Sequence, residues 1–329
     1  MVSQDQFKGQ AMSEELSATD TSAMLTPRYA EIATFLRAPL AGDWSAVDIG
    51  LFGIPYDGGI TNRAGARHGP RAIRDASSLM RMIHHVTRFN PYEVCRVADL
   101  GDVRFRSVYD HETVMADIAA FAGRAHQAGM RPFAVGGDHS VSLGLLRAAA
   151  ERHGPLGLVH VDAHTDTWDQ FHGSKFMHAT PFRRAVEEGL IDPKRSIQIG
   201  IRGAQNSPEG WEYSREQGMR VMFIEEAQDL GPAAVAAEAR RVVGEGKVYL
   251  SFDIDGLDPV YAPGTGTPEA GGLSIHEAQR FLRALDGLDF IGADLVEVAP
   301  PFDVGDLTSL SAATLIYEIL CIMAGRYAA

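Results

Sequence analysis

Short apolar runs alternate with longer stretches of helical spacing along most of the chain. The runs lie at 49–54, 132–135, 156–161, 196–200, 220–224, 247–252 and 290–298. Apolar residues recur at helical period over 111–129, 141–152, 232–243 and 275–285, and 308–323 predicts a closing C-terminal helix. Strand followed by helix, repeated, predicts an α/β fold: a mainly parallel sheet with helices on both faces, in one three-layer αβα domain. No linker rich in Pro, Gly or Ser divides the chain, and no internal repeat is visible. Residues 1–25 are polar and predict a flexible arm, or a segment that orders on a neighbouring subunit. The domain then covers 26–329. Ser140 is the expected N-cap of the helix that begins at 141.

Composition narrows the function. The chain has 329 residues and is 45% hydrophobic, ample for one large core. Its formal charge of −13 argues against nucleic acid as a partner and mildly favours a cationic ligand, although solubility alone accounts for most of that acidity. Two distant cysteines, Cys95 and Cys321, imply no disulfide framework and read as buried free thiols in a reducing cytoplasm. No signal-peptide core is seen, and no apolar run reaches the roughly 20 residues of a membrane span.

Three of the strand-like runs end in metal-seeking side chains. They lead into Gly136-Gly137-Asp138-His139-Ser140, Asp162-Ala163-His164-Thr165-Asp166 and Ser251-Phe252-Asp253-Ile254-Asp255. A strand sends residues i, i+2 and i+4 to one side. Asp162, His164 and Asp166 can therefore converge, with Asp253 and Asp255 arriving from a neighbouring strand and His139 adding an imidazole. One such segment alone is usually a turn; three at strand C-terminal ends fall where open parallel sheets bind ligands. Four carboxylates buried together demand compensation, and two cations supply it. With no sulfur among the donors, the ion is Mn²⁺ before thiolate-bound zinc; Ni²⁺ and Zn²⁺ stay open.

From about Asp48 to the C-terminus the chain resembles the ureohydrolases: arginase, agmatinase, guanidinobutyrase and guanidinopropionase. Beyond the metal segments, the resemblance rests on Gly65-Ala66-Arg67-His68-Gly69-Pro70, His178-Ala179-Thr180-Pro181-Phe182, Gly200-Ile201-Arg202-Gly203, Ala262-Pro263-Gly264-Thr265-Gly266-Thr267-Pro268 and Val296-Glu297-Val298, which favour the agmatinase branch. It implies an arginase-like fold and hydrolysis at the guanidino carbon by a hydroxide held between two ions, releasing urea and an amine. It implies His139, Asp162, Asp166 and Asp253 for one ion and His164 and Asp255 for the other, with Asp162 and Asp253 among the bridges. His178 is then the proton donor to the leaving amine, and Glu297 the partner of the guanidinium. Asp138 and Asp258 are expected to orient ligands or loops. A homotrimer or homohexamer follows from the same likeness.

Substrate choice is expected from the loop 168–177, with Trp168, Lys175 and Met177 as the residues that meet the tail, alongside Phe171, His172 and Phe176. Ala179 stands where a glycine is common in the family. The basic stretch Arg63 to Arg71 reads as structural ion pairs beside a helix start at Pro70. Segment 62–92 resembles the guanidino-acid hydrolases more than agmatinase proper. A guanidino acid or agmatine is the first expectation. Guanidine, an N-alkylated guanidine or a biguanide is an open alternative, as are an arginase-fold deacylase and a non-catalytic partner subunit.

Overall fold

Among the described residues eight strands carry the fold: β1 (Ile49–Gly53), β2 (Val97–Asp102), β3 (Arg131–Val135), β4 (Leu156–Val161), β5 (Ile191–Ile201), β6 (Arg220–Phe223), β7 (Lys247–Asp253) and β8 (Asp289–Val296). They form one sheet in the order β2-β1-β3-β8-β7-β4-β5-β6. Every pairing in it is parallel. The computed structural model describes residues 27–328; the arm expected over 1–25 lies outside them.

The two faces of the sheet are covered by different helices. Val248, Leu250 and Phe252 of β7 join one core with the helices Pro232–Val243, Ile275–Ala284 and Leu307–Ala324. Tyr249, on the opposite face, joins a second core with the helices His111–Gln127 and Val141–His153. From β1 the chain steps out to β2 at one edge, returns to place β3 on the inner side of β1, and later runs outward to the other edge through β4 to β6. β7 and β8 then fill the gap between β3 and β4. The C-terminal ends of β3, β8, β7 and β4 thus stand side by side where the winding reverses, which is where ligands bind in open α/β sheets.

Observed elements match the expected ones within a few residues, with instructive exceptions. β2 was not expected. Its middle residue, Asp99, is a buried carboxylate that accepts from the Phe35 N–H at 2.9 Å and from Arg74 at 2.8 and 2.9 Å, so charge interrupts the apolar run. β5 begins at Ile191 rather than 196 because Asp192 to Arg195, largely polar and less buried, interrupt the apolar run. The short helices Pro181–Glu187, Glu209–Gln217 and Ile224–Leu230 were also missed. Ser140 does not cap the helix at 141: its own φ and ψ are helical, −59° and −26°, and its side chain makes no cap hydrogen bond. Asp138 takes that place, accepting from the Ser140 N–H at 2.9 Å and from the Ser140 hydroxyl. The C-terminal helix is long and apolar enough, by length and composition, to cross a membrane, yet 78% of its apolar window is buried inside the protein. It is the core helix of the first face.

At the far edge of the second core, His126 is 3% exposed and packs edge-on to His153 at 5.2 Å. Burial first, then the neighbouring His153 and Arg152, lower its pKa from 6.5 to about 4. The unfolded chain therefore takes up this proton first as pH falls. The stabilisation is complete above 6.5 and is lost as pH drops towards about 4, to a ceiling of about 3 kcal/mol. Thermal melts at pH 7 and pH 5 should show His126→Gln losing less stability on acidification than the unsubstituted chain.

Candidate metal centre

Backbone turns at the strand ends bring the candidate ligands together. After β3, Gly136 and Gly137 have φ of +82° and +85°. A Cβ on Gly137 would sit 2.8 Å from the Ile54 carbonyl oxygen, so only glycine allows the chain to fold His139 back over β7. Two site residues that are not glycine also adopt left-handed backbone, Asp166 at φ 51° and Glu297 at φ 67°. Such residues cost on the order of 1–3 kcal/mol each and persist where surrounding contacts hold them. The Phe182 N–H donates to Asp166 O at 3.2 Å, and the Glu297 N–H donates to Gly137 O at 2.9 Å.

All six candidate ligands meet in two overlapping groups. His139 Nδ1 lies 3.1 Å from Asp162 Oδ2, 3.0 Å from Asp166 Oδ2 and 3.1 Å from Asp253 Oδ2. It is buried and makes no hydrogen bond. His164 Nδ1 lies 3.4 Å from Asp162 Oδ1 and 3.2 Å from Asp255 Oδ2. Asp162 therefore offers one oxygen to each group. Asp253 gives Oδ2 to the first, while its Oδ1 accepts from the Asp255 N–H at 2.8 Å. Metal bonds of about 2.1 Å place neighbouring ligand atoms about 3.0–3.4 Å apart in octahedral to tetrahedral arrangements. The observed spacings, together with an imidazole nitrogen that faces three carboxylate oxygens without bonding any, fit a coordination shell.

The charges call for cations. Burial, with the charges of Asp255 and Asp162, pushes the Asp253 carboxyl well above the usual carboxylate range. Asp255 is raised by the same burial and by Asp162. Burial opposes Asp162 too, but His160, His139 and His164 hold it well below that range. Behind Asp255, the buried Arg202 guanidinium donates to the carbonyls of Asp255 at 2.6 Å, Leu257 at 3.1 Å and Glu269 at 2.7 Å, and so ties the ligand loop in place.

Glu297 and His178 stand beside the donors. The Glu297 Oε1 accepts from the His139 N–H at 2.9 Å and lies 3.3 Å from His178 Nδ1. Its Oε2 is buried and has no hydrogen-bond partner. His178 Nε2 is 2.8 Å from the Thr61 hydroxyl, and the His178 backbone N–H donates to Gly59 O at 3.1 Å. Burial lowers the His178 pKa, but hydrogen bonding to Glu297 and the charges of Glu297, Asp166 and Asp138 raise it above the ordinary histidine value. Asp138 holds the loop, accepting from the Gly59 N–H at 2.7 Å, and burial and Glu297 push it up to about 6. Asp258 likewise accepts from the N–H groups of Val260, Gly271 and Gly272. Within the basic stretch, Arg67 pairs with Asp57 while Arg63 lies 5.2 Å over the Phe302 ring.

The loop 168–177 divides. Trp168, Phe171 and His172 line one open cavity with Glu209. Lys175 and Met177 do not line it. The Lys175 ammonium lies 3.7 Å from Asp169, with its side chain more than half exposed, and Met177 is 5% exposed and packed inward. Several residues that sequence reasoning passed over also belong here. His160 Nε2 contacts Asp162 Oδ2 at 2.8 Å, and its Nδ1 accepts from Gln198 at 3.1 Å. Thr61, Ser251 and Asp294 join it. For His160 and Ser251 the available signal was a polar residue inside an apolar strand run, two places before Asp162 and Asp253. Asp294 is likewise a polar residue inside an apolar run, and Thr61, in a loop, carries no such signal.

The clustered His and Asp side chains at the switch point of the parallel sheet could hold metal ions, and comparison with known proteins gives the family. The model for the arginase family matches residues 47–322. Guanidinopropionase of Pseudomonas aeruginosa is 54% identical over 299 residues, 91% of this chain and 93% of that protein. Guanidinobutyrase of the same organism is 45% identical over 302 residues, covering 91% and 94%. The structure of proclavaminate amidino hydrolase from Streptomyces clavuligerus superposes with a TM-score of 0.88 at 40% identity, covering 91% and 99%. The chain belongs to the arginase family, and it is a hydrolase of that family.

A direct consequence is testable by metal analysis. Chain loaded with Mn²⁺ should hold two ions, and Asp255→Asn should bring the content towards one, because only the group around His164 loses a ligand. A content fixed at one in the unsubstituted chain rules out the paired arrangement.

Proposed function

We propose that this chain hydrolyses a small guanidino compound to urea and an amine, with a carboxylate-tailed guanidino acid as the best substrate. The observation that carries the reading is the Glu297 Oε2: a buried carboxylate oxygen with no partner, next to a candidate proton carrier and the ligand cluster. A planar cation with several N–H donors matches such an acceptor. Likeness to guanidinopropionase and guanidinobutyrase supports the carboxylate tail.

In this proposal His139, Asp162, Asp166 and Asp253 hold one divalent ion, and His164 and Asp255 with the shared Asp162 hold the other. Oxygen- and nitrogen-only donors favour Mn²⁺. Such ions supply positive charge that lowers the pKa of water to near neutrality. Glu297 receives the guanidinium N–H groups and presents the carbon to the ligand cluster. His178 holds a proton on the imidazole, favoured by Glu297, and delivers it to the departing amine nitrogen. Thr61, hydrogen-bonded to Nε2, keeps the ring aimed.

A second reading has its own observation. The Lys175 charge is matched by Asp169, and the mouth presents Trp168 against Phe171 at 6.0 Å. Guanidine, an N-alkylated guanidine or a biguanide, each without an anionic tail, suits that surface. Exposed Val304, Leu307 and Leu310 at the start of the C-terminal helix support burial against another copy, as a homotrimer or homohexamer. Free Cys95 and Cys321 support a reducing compartment, the cytoplasm.

A urea-release screen of the purified chain alone, across guanidinopropionate, guanidinobutyrate, agmatine and alkylated guanidines, tests the assignment and separates it from a deacylase or a silent partner. His178→Ala should lower kcat by about 10²- to 10⁴-fold with metal content unchanged. An unaltered rate returns His178 to a structural role.

Within the loop, Lys175→Ala should lower kcat/KM for carboxylate-tailed substrates only, by about two- to fivefold, as befits an exposed charge. Trp168→Ala should reorder substrates of different bulk by about tenfold or more. Equal scaling of every substrate by both variants removes this loop as the selector.

A further inference from the structure

Beneath the ligand cluster, four neighbouring strands each carry one polar residue at the same level. In register, Gln198 of β5 faces His160 of β4, His160 faces Ser251 of β7, and Ser251 faces Asp294 of β8. All four are fully buried, at 0% exposure, in otherwise apolar strands. The row lies one pleat behind Asp162 and Asp253, since i and i+2 share a face. Gln198 and His160 buttress Asp162, as described above. The other half of the row leads to His139.

His139 Nε2 lies 2.9 Å from Ser251 Oγ. The Ser251 hydroxyl donates to Asp294 Oδ1 at 2.6 Å. Asp294 Oδ2 accepts from Ser142 at 2.8 Å and from Tyr249 at 2.9 Å. All three partners of this buried carboxylate are neutral hydroxyls. A serine hydroxyl has one hydrogen, and here it is committed to Asp294. Ser251 must therefore accept from His139, which places the imidazole hydrogen on Nε2 and leaves the Nδ1 lone pair facing Asp162, Asp166 and Asp253.

We propose that Asp294 is a positioning residue for the metal centre, acting through Ser251 to fix the tautomer and aim of His139. It rests on the metal-site reading given above. Replacing Asp294 with asparagine reverses the hydrogen-bond direction. Ser142 and Tyr249 both donate to one end of the side chain, so the amide oxygen turns to them and the amide N–H₂ turns to Ser251. Ser251 then donates to His139 Nε2, and the imidazole hydrogen moves to Nδ1, where it blocks metal ligation.

The test is metal retention, read separately from catalysis. Protein loaded with Mn²⁺ is equilibrated against graded chelator buffers, and bound metal is counted per chain. Asp294→Asn and Ser251→Ala should lose an ion at free-metal levels about 10- to 100-fold higher than the unsubstituted chain. Ser251→Thr, which restores the hydroxyl, should recover retention, and Ser142→Ala and Tyr249→Phe should stay within about threefold of it. Melts of the metal-free proteins identify any variant that fails to fold. Folded Asp294→Asn and Ser251→Ala proteins that keep both ions as tightly as the unsubstituted chain overturn the proposal. So does an equal loss in Ser142→Ala, which would mark a general packing effect. If the unsubstituted chain binds no metal, the metal-site reading itself falls, and the relay with it.

Discussion

Mutual repulsion among buried carboxylates at the ends of β4 and β7 is the constraint around which the rest of the centre is arranged. Asp162, Asp166, Asp253 and Asp255 are each at most 5% exposed. Bringing them together is strongly unfavourable unless positive charge joins them. The Arg202 guanidinium behind Asp255 supplies part of it, and the proposed divalent ions would supply the remainder. Positions nearby follow from this. Glu297 and Asp138 hold their loops by accepting backbone N–H groups, without adding to the first ring of ligands.

Strain and rigidity are distributed accordingly. Of the two left-handed residues, Glu297 follows β8 directly, and Asp166 lies in the loop after β4 with its carbonyl held by the Phe182 N–H. The unfavourable backbone is thus carried by the best-supported part of the molecule. By contrast, the loop 168–177 is exposed at Gln170, His172, Gly173 and Lys175, while Asp169 is tied to Arg184 at 2.8 Å and Met177 is packed inward.

Much of this was legible in the chain. The strand runs of β1, β3, β4, β6, β7 and β8 are apolar because both faces of a parallel sheet are buried, and the ligands follow them at i, i+2 spacing. What escaped notice was polar matter inside apolar runs. Asp99 hid β2, and His160, Ser251 and Asp294 passed as interruptions because a strand is read by its apolar majority. The Ser140 cap failed for a related reason: Asp138, two residues earlier, is the stronger acceptor, and local propensity does not see which of two neighbours wins. Short helices such as Glu209–Gln217 carry too few apolar positions for a period to emerge.

The strand order also bears on how the protein is made. β7 and β8 are the last strands in sequence yet sit in the middle of the sheet, and β3 and β4 touch only through them. Within the sheet the first six strands make two wings, with His139 following a strand of one and Asp162, His164 and Asp166 following a strand of the other. No strand pairing joins the wings until the C-terminal quarter of the chain supplies β7 and β8. The sheet therefore closes by its centre rather than its edge, through contacts of long sequence separation, which are slow to form. A chain stopped before Lys247 lacks both central strands and, with them, Asp253 and Asp255.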